Sequence, residues 1–413
     1  MKTRILLFLV AIAATFSVRA ADLIVEEFGT FPTYPSLNSA LTAAASGDRI
    51  VVKNRAGDIP WIENLSISKS ITFVSYTNNT QWIMQGTITI ASADGREINF
   101  IGMKNTAGGF AVGTTSGANR GTKVNIMDCN LIAGNIALGN NTIETNVVSS
   151  KIDNGQVVLN SGNVIGNYIN FTGSGSTLYY QNNLSFAGDT CFIVGNKVLN
   201  NYTSGESLHA GSSGQVLHIR NNYITYAYVG LALTQGVSNG IQNLIWNNTI
   251  TTSNCQFSTY GLYVGNLTTG SVWEVMNNII DETISCTSYG IYRETGSTGA
   301  TVNAYYNHID PSHSFELSGT FTFQGNNTTT ADIVLDSEGQ ITSGVSAING
   351  ANPAQPFYDL DLTVGDAGCY GGSYSLNNFF PLFTGSSRVY FVKFPFNVRQ
   401  GSTLNFKAYG YDR

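Results

Sequence analysis

Charge is what this 413-residue chain has least of: Asp, Glu, Lys and Arg together make up 11% of it, against about 25% in ordinary soluble domains. That shortage excludes a surface built of charged helices, and a net charge of −6 leaves no basic stripe for nucleic acid. Proline (8 residues) and histidine (4) are scarce, whereas glycine reaches 44. Five cysteines are too few for a disulfide scaffold and, in an exported chain, leave at least one thiol unpaired. Beyond residue 20 no apolar run approaches the roughly 18 residues of a membrane-spanning helix, so no membrane span is expected. Cys129, Cys191 and Cys369 show no metal-ligand spacing, and neither a metal nor another cofactor is expected.

What fills the chain instead is Asn, Gly, Ser, Thr, Tyr, Ile and Val, the balance of short strands joined by tight turns. The opening stretch MKTRILLFLVAIAATFSVRA sets Lys2 and Arg4 before an apolar run and ends on Val18 and Ala20, the small-residue pattern of a signal-peptidase site. A cleaved secretory leader over residues 1–20 and a secreted or cell-surface protein are therefore expected. No cysteine near the cleavage point suggests a lipid anchor.

A phrase Asn-x-Ile or Asn-x-Val recurs at Asn130, Asn141, Asn167, Asn196, Asn222, Asn248, Asn278 and Asn307, with Ser150-Lys151-Ile152 as a variant. From Asn167 on, the spacing settles at 26 to 30 residues, which with strand-type alternation predicts one solenoid turn of three short strands per repeat. Aligning the copies puts Ile224, Ile250, Ile280 and Ile309 in one inward column and Ile219, Ile245, Val275 and Ala304 in another. A glycine-centred strand follows at Val229-Gly230-Leu231, Tyr260-Gly261-Leu262 and Tyr289-Gly290-Ile291. Asparagine tolerates left-handed backbone and its amide both donates and accepts, so the repeated Asn is expected to stack as a hydrogen-bonded ladder at a turn.

The stretch PSLNSALTAAASGDRIVV holds a short amphipathic helix on Leu37, Ala40, Leu41 and Ala44, then a strand. Together with the Asn-x-Ile rungs and the segment DLDLTVGDAGCYGG near Asp361, Asp366, Gly368, Tyr370 and Gly371, it resembles the secreted right-handed parallel β-helix proteins of the pectin-lyase-like class. The resemblance implies an all-β solenoid over residues 21–380 with an N-terminal helical cap. Residues 381–413 read as two strands about a Gln-Gly turn, a short β-hairpin-like C-terminal cap or a remnant of a small module. It implies no particular activity, since the polygalacturonase phrases Asn-Thr-Asp, Asp-Asp and Gly-His-Gly are missing.

Between Asn154 and Gln215 the acidic residues are Asp189 and Glu206, and the basic ones Lys197 and His209, a thin supply for acid/base chemistry. A later cluster offers more. His218 and Glu274 share a column with Asn303, Arg220 lies two positions on, and Arg293 is near, so His218, Arg220, Glu274 and Arg293 form a candidate catalytic set. Asp281 with Glu282 reads as a solvated turn rather than a calcium site, and Pro311, Ser312 and His313 as a loop. Tyr263, Tyr292 and Trp246 belong to an aromatic crowd whose outward members could stack on sugar rings; the alternative is aromatics stacking between rungs. Cys255 and Cys286, one repeat apart, offer a disulfide or two small buried side chains. Three functions follow: a secreted non-catalytic protein binding a polysaccharide or cell-surface glycan, a polysaccharide lyase or glycoside hydrolase of unrecognised type, and a spacer.

Overall fold

A computed structural model describes residues 20–116, 121–181, 188–200, 202–254, 258–282, 287–296, 298–329, 333–343, 346–385, 387–393, 401 and 403–411. Residues 1–19 of the expected leader, and Cys255 and Cys286, lie outside the described residues. Cys129, Cys191 and Cys369 are buried, the Cys129 thiol against the carbonyls of Phe100 and Met127, and burial raises the last two to about 12.

Three parallel sheets of 13, 12 and 11 strands wind into a solenoid of about eleven turns. The first sheet runs from Asp22–Val25 to Phe323–Gly325, the second from Trp61–Ile62 to Thr328–Thr329, and the third from Leu65–Ile67 to Phe315–Ser318. One turn visits them in order, as in Val216–Arg220, Tyr223–Tyr226 and Val229–Gln235. The two aligned columns are present in register: Ile224 pairs with Ile250, Ile280 and Ile309 in successive rungs, and Ile219 with Ile245, Val275 and Ala304. All eight are wholly buried. No single turn could close such a core, so stability comes from stacking neighbours.

The corner between the first and second sheets explains the paired asparagines. The first member sits in the left-handed region, at φ 52° for Asn221, 53° for Asn247 and 59° for Asn277. Gly102, Gly166 and Gly195 adopt the same conformation in earlier turns, where a missing Cβ makes it costless. The second member points inward. Asn222 donates its backbone N–H and its amide to Asn248 Oδ1 at 3.1 and 2.9 Å, and its amide also to the Ile193 carbonyl at 2.9 Å. The same bonds link Asn167, Asn196, Asn222, Asn248, Asn278, Asn307 and Asn327, with Ser150 as the rung before. Asn130 and Asn141 are not members. Cys129 holds that position, its N–H donating to Ser150 Oγ, while Asn130 faces outward in the second sheet and Asn141 lies exposed in a loop.

The glycine of the Tyr-Gly phrase has a steric cause. A Cβ on Gly230, Gly261 or Gly290 would come within 2.5, 2.4 or 2.5 Å of the Cγ2 of Ile250, Ile280 or Ile309, so the third sheet can approach the second only where that atom is absent.

The helix Leu37–Ala43 starts at Ser36 in a capping box with Ser39, and buries Leu37, Ala40 and Leu41 in the main core. Glu63 accepts the N–H groups of Leu37 and Asn38, both at 2.9 Å, satisfying donors a first helical turn leaves open. At the other terminus the strands Arg388–Lys393 and Lys407–Tyr411 pair antiparallel. They do not sit over the last rung: Phe391 packs with Phe379, Ile165 and Val194, on the flank of middle turns.

Between the last rung and that strand pair the chain runs back along the corner of the first and second sheets. Asn221 donates to the carbonyls of Cys369 and Gly371, Asn247 to that of Asp366, and Asn277 accepts from the N–H of Asn352. The outward amides of the left-handed residues thus become the attachment points of the C-terminal segment.

Candidate functional site

With the corner covered, the third sheet carries two outward columns set by a bend in each of its later strands. Residues three apart both face out: Glu206 and His209, Val229 and Ala232, Tyr260 and Tyr263, Tyr289 and Tyr292, Phe315 and Ser318 pair in register from rung to rung. Strict alternation would send such residues to opposite faces; an inward glycine lies between the pair at Gly230, Gly261 and Gly290, and Ser207 with Leu208 lies between Glu206 and His209.

Within these columns Glu206 and His209 form a polar centre. His209 Nδ1 lies 2.7 Å from Glu206 Oε2, Ser176 donates to the same oxygen at 2.9 Å, and His209 Nε2 is 3.2 Å from Thr234 Oγ1. Tyr179 packs edge-on to the imidazole with ring centroids 4.8 Å apart. Burial pushes the Glu206 carboxyl up, but the hydrogen bond and charge of His209 and the Ser176 hydroxyl outweigh it and hold the group below the ordinary carboxylate range. Ala232 follows His209 in the column and Tyr263 follows Ala232, so imidazole and phenol stand two rungs apart, roughly 10 Å, with the Ala232 methyl between them buried. The Tyr263 phenol is raised by burial and by its hydrogen bond to Glu294, whose Oε2 also accepts the N–H of Asn266 at 3.2 Å. The result is two polar centres, an imidazole with a carboxylate and a phenol with a carboxylate.

The tyrosines themselves stack along the solenoid axis. Tyr260 and Tyr289 lie 5.0 Å apart at 11°, Tyr289 and Phe315 4.9 Å at 14°, and Tyr263 and Tyr292 5.8 Å at 23°. Ring faces are therefore spent on neighbouring rungs, and what the columns offer outward is ring edges and hydroxyl groups. Tyr223, Tyr226 and Trp273 are buried.

The sequence-derived catalytic set is not drawn together. His218 and Glu274 occupy one column of the first sheet with Leu244 between them. His218 packs edge-on against Phe192 beside the C-terminal strand pair, and burial, then Arg220 and Lys393, lowers its pKa to about 3. Arg220 is buried, its guanidinium 4.4 Å from the Trp246 ring and 6.0 Å from that of Tyr374. Glu274 accepts from Gln242, Asn303 and Tyr305 at 3.1, 2.8 and 2.8 Å. Arg293 lies on the third sheet, donating to the carbonyls of Thr320 and Ala300. Trp246 meets Phe357 of the returning segment, so of the three aromatic candidates Tyr263 and Tyr292 stand on the outward columns and Trp246 does not.

Asp281 and Glu282 are buried, not solvated. Thr251 donates to Asp281, and Glu282 faces His313 at 3.2 Å with both side chains inaccessible. Among the described residues no cluster of His, Cys, Asp and Glu is placed to hold a metal ion.

Neither a family model nor a curated protein matches this chain. Solved structures do. A periplasmic alginate epimerase, AlgG in a mutant form, is 12% identical over 68% of this chain and 77% of its own, with a TM-score of 0.32. Dettilon tailspike protein is 12% identical over 74% and 70%, at 0.27, and the PL6 family alginate lyase AlyGC, as a mutant, 12% over 78% and 55%, at 0.21.

Alignment on the Asn-x-Ile phrase alone passes over Glu206 and His209. The signal that finds them is the three-residue spacing shared by Glu206-x-x-His209, Tyr260-x-x-Tyr263 and Tyr289-x-x-Tyr292. A second amide row also went unread: Asn99, Asn125, Asn146 and Asn163 pass hydrogen bonds from rung to rung on the outer face of the first sheet, at 2.7 to 2.8 Å. Its spacing of 26, 21 and 17 residues follows no fixed period.

Proposed function

We propose that this protein is an extracellular carbohydrate-binding solenoid that seats one sugar of a polysaccharide against His209 and Tyr263 on the third sheet. The observation that carries the reading is the pair of polar centres two rungs apart, His209 with Glu206 and Tyr263 with Glu294, on the sheet away from the returning segment. Hydroxyl, imidazole and carboxylate groups at that spacing suit a polyol, and the rung spacing of about 4.8 Å is close to the length of one pyranose in a chain. The leader-like N-terminus supports export.

Retention on immobilised plant, algal and glycosaminoglycan polysaccharides tests this. Wild-type protein should be retained by at least one. His209→Ala, which removes the imidazole, should abolish retention, and Tyr263→Phe, which keeps the ring stack and removes the hydroxyl, should weaken it about tenfold, the worth of one hydrogen bond. No retention by any polymer, or retention unchanged by both variants, would overturn the reading.

A second reading, proton transfer at the same site, is favoured by the 2.7 Å contact that fixes the His209 ring on Glu206, the arrangement by which a carboxylate orients a general base. It supports a lyase or hydrolase acting on the bound polymer. Product release from the retained polymer, lost in Glu206→Gln with retention intact, is its expected signature; a bound polymer left uncut by the wild type excludes it.

A further inference from the structure

A cavity of about 710 Å³ lies on a different face, where the C-terminal segment arches away from the second sheet. The outward column there runs Lys151, Tyr168, Lys197, Tyr223 and Thr249. Over its later members the segment sits in contact: a Cβ on Gly339 would be 2.4 Å from the Tyr223 ring, and Cys369 donates its N–H to Thr249. Over Lys151, Tyr168 and Lys197 it stands off, with residues 336–340 on one side and 376–383 on the other.

The lining combines rings with paired charges. Lys197 bonds Glu338 across the cleft and lies 4.7 Å from the Phe380 centroid. Lys151 is held by Asp153 at 2.8 Å, 5.4 Å from the Tyr168 centroid. Tyr370 closes one wall through its hydroxyl to the Glu338 carbonyl at 3.1 Å, and Gln340 and Asn377 present exposed amides at the rim. Lys197 is paired with Glu338 and Lys151 with Asp153, and Asp336 also lines the cleft, so the lysine charges are neutralised and no net positive field draws an anion. Aromatic walls, rim amides and charge-paired donors and acceptors in a cleft of small-ligand size match a molecule with apolar C–H faces and many hydroxyls.

We infer that this cleft is a binding site for a neutral sugar, one or two residues long, built jointly by the second sheet and the C-terminal segment. It is separate from the third-sheet site, so either site can fail alone. The segment is then half of a binding site, which accounts for its arch over three turns and its close contact beyond them.

Saturation-transfer NMR on the full chain with cellobiose, maltose, lactose and chitobiose, and with digalacturonate as the charged counterpart, tests the assignment. At least one neutral disaccharide should bind saturably and outcompete digalacturonate. The double variant Gln340→Ala/Asn377→Ala, which alters exposed side chains only, should weaken that binding at least tenfold at an unchanged melting temperature, and Tyr168→Ala should do the same. His209→Ala on the third sheet should leave it unchanged. Absence of saturable binding by all four neutral sugars, preference for digalacturonate, or binding insensitive to Gln340, Asn377 and Tyr168 would overturn the inference; loss on His209→Ala alone would assign the sugar to the third sheet instead.

Discussion

Asn247 and Asn248 are chain neighbours with opposite tasks. Asn247 supplies left-handed backbone and an outward amide bonded to Asp366, whereas Asn248 is wholly buried and bonded on both sides to its equivalents. Replacing Asn248 by Ala strands donors of Asn222 that cannot reach water, at about 1–3 kcal/mol for each unsatisfied group. Asn247→Gly keeps the backbone region and loses the 3.0 Å bond to Asp366 and a longer 3.5 Å one from Asn277, about 1 kcal/mol for the first. Denaturant titration should rank Asn248→Ala well below Asn247→Gly. Equal midpoints would mean that the ladder adds nothing. That the asparagines serve the backbone was readable from their place between a strand and Ile. Which of the pair turns and which stacks was not, because asparagine suits both tasks.

At the scale of a strand, Gly261 and its equivalents decide how the third sheet meets the second. Gly261→Ala places a methyl 2.4 Å from Ile280 Cγ2, and overpacking of this kind costs about 1–3 kcal/mol. The denaturation midpoint should fall at an unchanged slope; an unchanged midpoint would mean that the strand shifts without cost. Residues three apart share the outward face of these strands with or without a glycine between them, which creates the two outward columns. Period-two reasoning misplaces such residues, which is why the Tyr-Gly phrase was legible as a strand while the partnership of Glu206 with His209 was not. The tyrosine stacks follow from rung spacing: at about 4.8 Å equivalent rings in register meet face to face before any ligand can.

Across the whole molecule, buried acids at the corner of the later turns tie stability to pH. Asp281 is pushed up to about 7, by burial first and then by the hydrogen bond it shares with Asp310, against the pull of Thr251. The folded state therefore keeps a proton that the unfolded chain releases near pH 4. Its contribution is complete below that value and is lost as pH rises through about 7. Thermal melts between pH 4 and 8 should show stability falling with pH, and Asp281→Asn should flatten the slope. A wild-type profile no steeper than that of Asp281→Asn would count against the shared proton.

The solenoid, its core columns and its asparagine ladder were determined by the sequence itself, because stacking repeats an identical environment every turn and so repeats the residue that suits it. Accessibility of the outward residues was decided only by tertiary structure. Arg220 and Trp246 have the polarity and phase of a binding face, yet Tyr374 and Phe357 of the returning segment cover them. The contacts that hold this segment join residues as far apart as Asn221 and Gly371, 150 positions along the chain. No local periodicity encodes a contact at that separation. The segment's path hollows out the cleft above Tyr168.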